Sequence, residues 1–143
     1  MTWTVSPSST GDVHHGNGTQ HIFDDDPDVF YASTHEYAGC SPDFQGNLQE
    51  TGTGEGQGTT MNIPFPGGCG RAPEYLAAVD EAIGRAKSER YDPDLFFVSA
   101  GFDAHRKDPI LAPARLEAEG YGLLTERVVD LGRPVWGGAG VCA

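Results

Sequence analysis

Two segments of the chain repeat apolar residues at the spacing of an amphipathic helix, residues 73–90 and residues 121–131. Their apolar stripes are Leu76, Val79, Ile83 and Ala86 in the first, and Leu124, Val128 and Leu131 in the second. Pro73 suits the first turn of a helix, and Gly132 suits the position just after a helix end. The pattern therefore predicts two helices in the second half of the chain.

Short apolar runs between the polar stretches predict strands at residues 29–33, 61–65, 95–98 and 134–136. The run at 95–98 is apolar throughout, as expected of a strand buried on both faces. The last strand is predicted to end where the glycine-rich residues 137–140 begin. Strands that alternate with helices predict an α/β fold with a mainly parallel sheet flanked by helices.

Polar side chains with metal-binding chemistry follow two of these segments. Asp12 and His14 stand two residues apart, so an extended backbone points both to one side, and Asp103 follows the buried strand. Two carboxylates and one imidazole leave a fourth position open, which is typical of catalytic zinc. An isolated Asp-x-His pair also occurs in polar surface loops, and an aspartate at a strand end also caps turns. Spacing alone leaves both interpretations open.

Composition narrows the class of protein. The formal net charge of −12 argues against non-specific binding to nucleic acid or to anionic membranes, and it favours cationic ligands such as lysine side chains or polyamines. No apolar run approaches 18 residues, and the N-terminus has no signal-peptide pattern. Cys40, Cys69 and Cys142 lack CxxC spacing, which favours free thiols in a reducing compartment. We therefore expect a cytoplasmic protein.

Two long motifs resemble the zinc-binding motifs of the histone deacetylase and acetylpolyamine amidohydrolase family. They are residues 12–20 (DVHHGNGTQ) and 98–109 (VSAGFDAHRKDP). Shorter matches at residues 33–35, 50–58, 62–67 and 120–125 follow in the order that the family shows. The resemblance covers about residues 11–134. Asn17, where many nuclear members have aspartate, is more similar to the class II and bacterial branch.

This resemblance implies the arginase–deacetylase fold and a zinc-dependent hydrolysis of an acyl amide on lysine or a polyamine. It places the zinc ligands at Asp12, His14 and Asp103. Arginases share the fold but bind a second metal through further aspartates. Gly16 and His105 stand at those positions here, so a binuclear manganese site is not expected.

The resemblance also assigns three supporting roles. Asn17 takes the position that supports a catalytic histidine. Ser33, together with backbone carbonyls near Asp12 and His14, takes part in a structural site for K⁺ or Na⁺. Phe44 lines the channel for the acyl-lysine chain.

Other family residues have no counterpart in this sequence. The family's tandem histidine pair, which transfers protons, lies upstream of the first zinc motif, and its oxyanion-binding Tyr follows a glycine-rich turn. Thr10 stands where the family has a further Asp. We therefore expect residues 12–136 to form a partial domain between an atypical lead-in (1–11) and an atypical tail (137–143), without catalytic acid–base residues. The alternatives are a non-catalytic, truncated or decayed gene product that at most binds metal, and a partner chain that supplies the missing groups.

Overall fold

The computed structural model describes residues 3–4, 11–37, 46–66, 72–88, 90–109 and 115–139. Strand β1 (Trp3–Thr4) and helix α1 (Asn17–Phe23) come first, and strands β2 (Tyr31–Tyr37) and β3 (Thr60–Pro66) follow. Helix α2 (Ala72–Ala86), strand β4 (Phe96–Ala100), helix α3 (Ala118–Val129) and strand β5 (Val135–Ala139) complete the order. None of the helices in these residues is long and apolar enough to cross a membrane.

The strands form two parallel sheets. One has the order β1-β4-β5, and the other pairs β2 with β3 over their whole length. Parallel neighbours need crossover connections, and α3 forms the one from β4 to β5. Helix α2 connects β3 of one sheet to β4 of the other. The α/β class with parallel strands is therefore as the sequence predicts.

The buried face of helix α2 contributes to both apolar clusters of the core. One cluster includes residues of β2 and β4, and the other includes residues from the segments that precede α1 and follow β4. The first contains Phe30, Ala32, Ala82, Ala86, Tyr91, Phe96 and Leu131. The second contains Val13, Tyr75, Val79, Ala104, Leu116 and Leu124. The second cluster fixes both segments that carry the predicted metal ligands.

Both helices differ from their predicted limits. Helix α2 ends at Ala86 rather than at residue 90 because Tyr91 turns into the core and Asp92 adopts φ +37° before Pro93. Helix α3 (Ala118–Val129) begins three residues and ends two residues earlier than predicted. Gly120 lies buried in its first turn, and glycine weakens the helical pattern that the sequence shows there.

Each predicted strand overlaps an observed strand but differs from it in its limits, and one observed strand was not predicted. Strand β5 continues across Gly137, Gly138 and Ala139, although the sequence predicts that the strand ends before these residues. These residues pair with Val98, Ser99 and Ala100 of β4, and a side chain at Gly137 would meet the Val98 carbonyl at 3.2 Å. Close backbone approach thus accounts for Gly137. The short strand β1 also lies in the lead-in for which the sequence predicts no element.

A polar network lies buried beside β2. The Nε2–H of His35 donates to the carbonyl of Gly46 (2.8 Å), so its Nδ1 accepts from the Ser33 hydroxyl (2.9 Å). The amide of Gly46 donates to Glu50 (2.9 Å), and Gly46 has φ +92° with its Cα against the rings of His35 and His15. A side chain at Gly46 would displace these rings. His35 is thus a packed histidine with both ring nitrogens hydrogen-bonded.

Glu50 and Gln20 extend the network towards the first metal motif. The Glu50 carboxylate accepts from the Gln20 side chain (2.7 Å) and from the backbone and side chain of Asn47. Gln20 accepts in turn from His15 Nε2 (2.8 Å) and from Asn62 (2.9 Å). Burial alone would raise the pKa of Glu50, but these hydrogen bonds together lower it. Glu50 therefore stays ionised and anchors residues 46–50 to α1.

Replacing Gly84 or Gly122 by alanine is expected to stabilise the fold. Both residues lie inside helices, and nothing lies within 4 Å of the position that a Cβ would take. Alanine loses less backbone entropy on folding, so each change should raise the free energy of unfolding by about 0.5–1 kcal/mol in a urea titration. Gly132→Ala is the matched control, since it has equal space but φ +68°. It should destabilise the fold, and equal effects at all three positions would contradict this account.

Stability should fall as the pH drops below 6.5 because His35 resists protonation. Burial, followed by the neighbouring His15, lowers the pKa of His35 to about 4, and Glu50 is the nearby charge that opposes this shift. In the unfolded chain His35 binds a proton near pH 6.5, whereas in the folded chain it binds that proton only near pH 4. The free energy of unfolding should fall by about 3 kcal/mol as the pH drops from 6.5 to 4.

Urea titrations between pH 7 and pH 4.5 test this expectation with His35→Gln and His21→Gln. His21 is exposed, so its replacement should leave the pH dependence unchanged, whereas His35→Gln should flatten it. Burial also lowers the pKa of His15. His15 should therefore cause a smaller loss of stability at low pH, and this loss should persist in both variants. An unchanged slope in His35→Gln would contradict the account.

Candidate metal centre

Two backbone segments, residues 11–14 and 101–104, are held side by side at the carboxyl end of β4. The amide of Ala104 donates to the carbonyl of Gly11 (3.0 Å), and the amide of Val13 donates to Oδ1 of Asp103 (3.0 Å). The carbonyl of Val13 also accepts from the amide of Glu36 in β2 (2.8 Å). These bonds join segments that are 90 residues apart in sequence and fix the direction of the side chains on both.

Asp12, His14 and Asp103 converge at this junction. Each offers one ligand atom, and these atoms all lie within 4.8 Å of one another. Nδ1 of His14 lies 3.2 Å from Oδ1 of Asp12 and 2.7 Å from Oδ2 of Asp103. His14 is exposed, whereas the two carboxylates are largely shielded, so the group opens to solvent on the His14 side.

The charges of this group favour a cation. Burial, and then the charge of Asp12, raise the pKa of Asp103. Oδ1 of Asp103 accepts from Val13, whereas buried Oδ2 lies 2.7 Å from Nδ1 of His14. Two carboxylates share this single imidazole, so negative charge predominates in the group. The donor set, two carboxylates and one imidazole, suits Zn²⁺, so the residues present fit this metal.

The walls of the group consist of residues that the sequence does not mark as functional. Gly101 packs so closely on Asp12 that a Cβ there would lie 2.6 Å from that side chain. The hydroxyl of Tyr75 accepts from the amide of Gly11 (3.2 Å) and donates to the carbonyl of Asp12 (3.0 Å). Tyr121 packs against Gly11 from the other side. Tyr75 lies four residues before Val79, but the sequence gives no sign that its hydroxyl reaches the metal segment.

The other predicted site residues lie at different distances from this group. Asn17 is exposed and is the first residue of α1. Ser33 is buried in β2 and contacts His35. His105 lies just after Asp103, and its Nδ1 accepts from the amide of Lys107 (3.2 Å). Phe44 lies outside the described residues. The metal, supporting and channel roles of these residues stay predictions.

Comparison with known proteins relates this geometry to one family. Residues 11–141 match the family model described as the histone deacetylase domain. The chain is 43% identical over 129 residues to the chloroplastic histone deacetylase 10 of Oryza sativa subsp. japonica, and 42% identical over 127 residues to the chloroplastic histone deacetylase 14 of Arabidopsis thaliana. Each alignment covers 89% of this chain, but only 28% and 29% of those proteins.

Solved structures agree with this relationship. The acetylpolyamine aminohydrolase of Burkholderia pseudomallei superposes with a TM-score of 0.86 at 31% identity. The superposition covers 99% of this chain and 40% of that one. The fold is therefore the arginase–deacetylase fold that the resemblance implies, present over less than half the length of these proteins. On the match over residues 11–141, the chain belongs to the histone deacetylase domain family.

Proposed function

We propose that this chain carries the zinc-binding part of a deacetylase active site. The observation that supports this most directly is the convergence of Asp12, His14 and Asp103 on one point, where both carboxylates face the single imidazole of His14. Membership of the family supports zinc as the metal and an acyl amide as the substrate. The whole protein would then hydrolyse acyl amides of lysine side chains or polyamines.

Each residue of the group has a distinct part in holding the metal. Asp103 offers Oδ2, because Val13 occupies Oδ1 and orients the carboxylate. Asp12 accepts from the amide of His14 (2.8 Å), which fixes its own carboxylate against the backbone. His14 offers Nδ1 and forms the exposed side, where a substrate has access. A bound Zn²⁺ would polarise the amide carbonyl and lower the pKa of an attacking water.

Proton transfer is the part of the reaction that this sequence does not supply. No residue of the chain matches the family's histidine pair or its oxyanion-binding Tyr. General acid–base catalysis typically contributes roughly 10²–10⁴-fold, and an oxyanion donor contributes about 10²–10³-fold. Such losses leave little turnover even with the metal bound. The alternative is therefore a non-catalytic chain that only binds metal.

The proposal also includes a class of substrate, a supporting ion and a location. The net charge of −12 favours a cationic substrate, in line with a lysine side chain or a polyamine, and disfavours direct binding to nucleic acid. The K⁺ or Na⁺ site at Ser33 is a further part of the proposal. We also propose a cytoplasmic location, although the two plant relatives are named as chloroplast proteins.

The chain should bind one Zn²⁺, and Asp103→Asn should weaken binding. The amide preserves the acceptor for Val13 but removes the charge, so we expect a Kd increase of at least about 100-fold, beyond the 10–100-fold typical of residues that only orient ligands. The measurement is a competitive titration of the metal-free chain with a chromophoric chelator. Asp130→Asn is the matched control, since Asp130 is an exposed aspartate at the end of α3. Equal affinities in both variants, or no zinc bound by the unaltered chain, would contradict the site.

Acetate release should be slow or absent in the zinc-loaded chain. An acetyl-lysine peptide and an acetylated polyamine are the two substrates to compare, with metal-free and Asp103→Asn samples as blanks. Stoichiometric zinc without turnover supports a metal site that lacks its proton-transfer residues. Zinc-dependent turnover that Asp103→Asn abolishes would show that this chain has acid–base groups that the sequence comparison misses.

A further inference from the structure

The hydroxyl of Tyr75 makes two hydrogen bonds to the backbone of the metal segment. Tyr75 belongs to α2, and its side chain is buried with 1% exposure. Its oxygen accepts from the amide of Gly11 and donates to the carbonyl of Asp12, at 3.2 and 3.0 Å. A single side-chain atom therefore fixes a donor and an acceptor on either side of the peptide that joins Gly11 to Asp12.

The ring of Tyr75 is held as firmly as its hydroxyl. It stacks on Phe65 of β3 with ring centroids 5.4 Å apart, and it packs in the cluster that contains Val13 and Leu124. Burial raises the pKa of the hydroxyl, so it keeps its proton and donates to Asp12 across the range in which proteins fold. Tyr75 thus links the rigid helix α2 to a segment that has no regular secondary structure.

The segment that Tyr75 holds leads directly into the Asp12 side chain. Gly11 has φ +100°, and its carbonyl accepts from Ala104, the residue after Asp103. Holding the amide of Gly11 and the carbonyl of Asp12 sets the backbone from which the Asp12 carboxylate projects. The same backbone sets the distance from that carboxylate to Asp103.

We propose that Tyr75 is a positioning residue for the metal centre, acting through the backbone of Asp12 without contacting the metal or the substrate. The proposal rests on the proposed metal site. Residues that orient metal ligands typically change affinity by about 10–100-fold when they are altered. Tyr75→Phe keeps the ring and its packing and removes the hydroxyl that bonds to Gly11 and Asp12.

Tyr91→Phe provides the matched control. Tyr91 is buried in the other core cluster, and its hydroxyl donates to the carbonyl of Gly58, away from the metal segments. Both variants lose a buried tyrosine hydroxyl, so both should lower the urea midpoint of the metal-free chain. Only Tyr75→Phe should weaken metal binding, with a Kd for Zn²⁺ raised about 10- to 100-fold at unchanged stoichiometry. The absorption spectrum of bound Co²⁺ should also change only in that variant.

The outcomes separate this proposal from the metal site itself. A Zn²⁺ affinity and a Co²⁺ spectrum in Tyr75→Phe that match those of the unaltered chain would overturn the positioning role while leaving the metal site intact. Equal loss of affinity in both variants would also overturn it, since the effect would then be one of general stability. An unaltered chain that binds neither Zn²⁺ nor Co²⁺ would overturn the metal site and the positioning role together.

If Tyr75→Phe does not fold, a second measurement tests the positioning role of Tyr75. A single 3-fluorotyrosine placed at position 75 or at position 91 preserves the hydroxyl in the full chain. Saturation with Zn²⁺ should shift the ¹⁹F resonance at position 75 and leave the resonance at position 91 unchanged. A resonance at position 75 that does not respond to bound Zn²⁺ would overturn the proposal.

Discussion

The mutual repulsion of two carboxylates is the constraint around which the described site is built. Asp12 and Asp103 offer ligand atoms within 4.8 Å of one another. Two unit charges at about 4 Å repel by roughly 1 kcal/mol in water, and by about 4 kcal/mol at the effective dielectric of a protein surface. A hydrogen bond to a charged group contributes about 1.5–3 kcal/mol, so the Val13 amide offsets much of this cost without removing it. A bound cation would turn the same proximity into attraction.

Neighbouring histidines in the first motif have opposite surroundings, and the local backbone explains why. In residues 12–15 the side chains of Asp12 and His14 point to the metal group, while Val13 and His15 point into the protein. His15 is held by Gln20 and packs against His35, and burial lowers its pKa. The half-buried His15 therefore ties the segment to the body of the protein, and His14 faces the metal group.

The convergence of Asp12, His14 and Asp103 can be predicted from the sequence because short patterns carry it. Asp12 and His14 are two residues apart, and the continuous apolar run before Asp103 identifies the strand that delivers it. The sequence does not identify residues whose role depends on tertiary contact. Tyr75 lies beside the predicted apolar stripe of α2, and Gly101 matters only because Asp12 packs on it. The limits of α3 and β5 were missed for a related reason, since tertiary pairing overrides the weak intrinsic preference of glycine.

The separation of the two metal segments along the chain has a consequence for biosynthesis. Val13 and Asp103, which bond to one another, are 90 residues apart. At about 5–20 residues per second, a ribosome needs roughly 5 to 20 s to make the intervening chain. During this interval the first motif is a short Asp-x-His segment without its third ligand, and it holds a metal only weakly. Stable metal loading therefore requires that Asp103 has been synthesised and that β4, which delivers it, has paired in the parallel sheet.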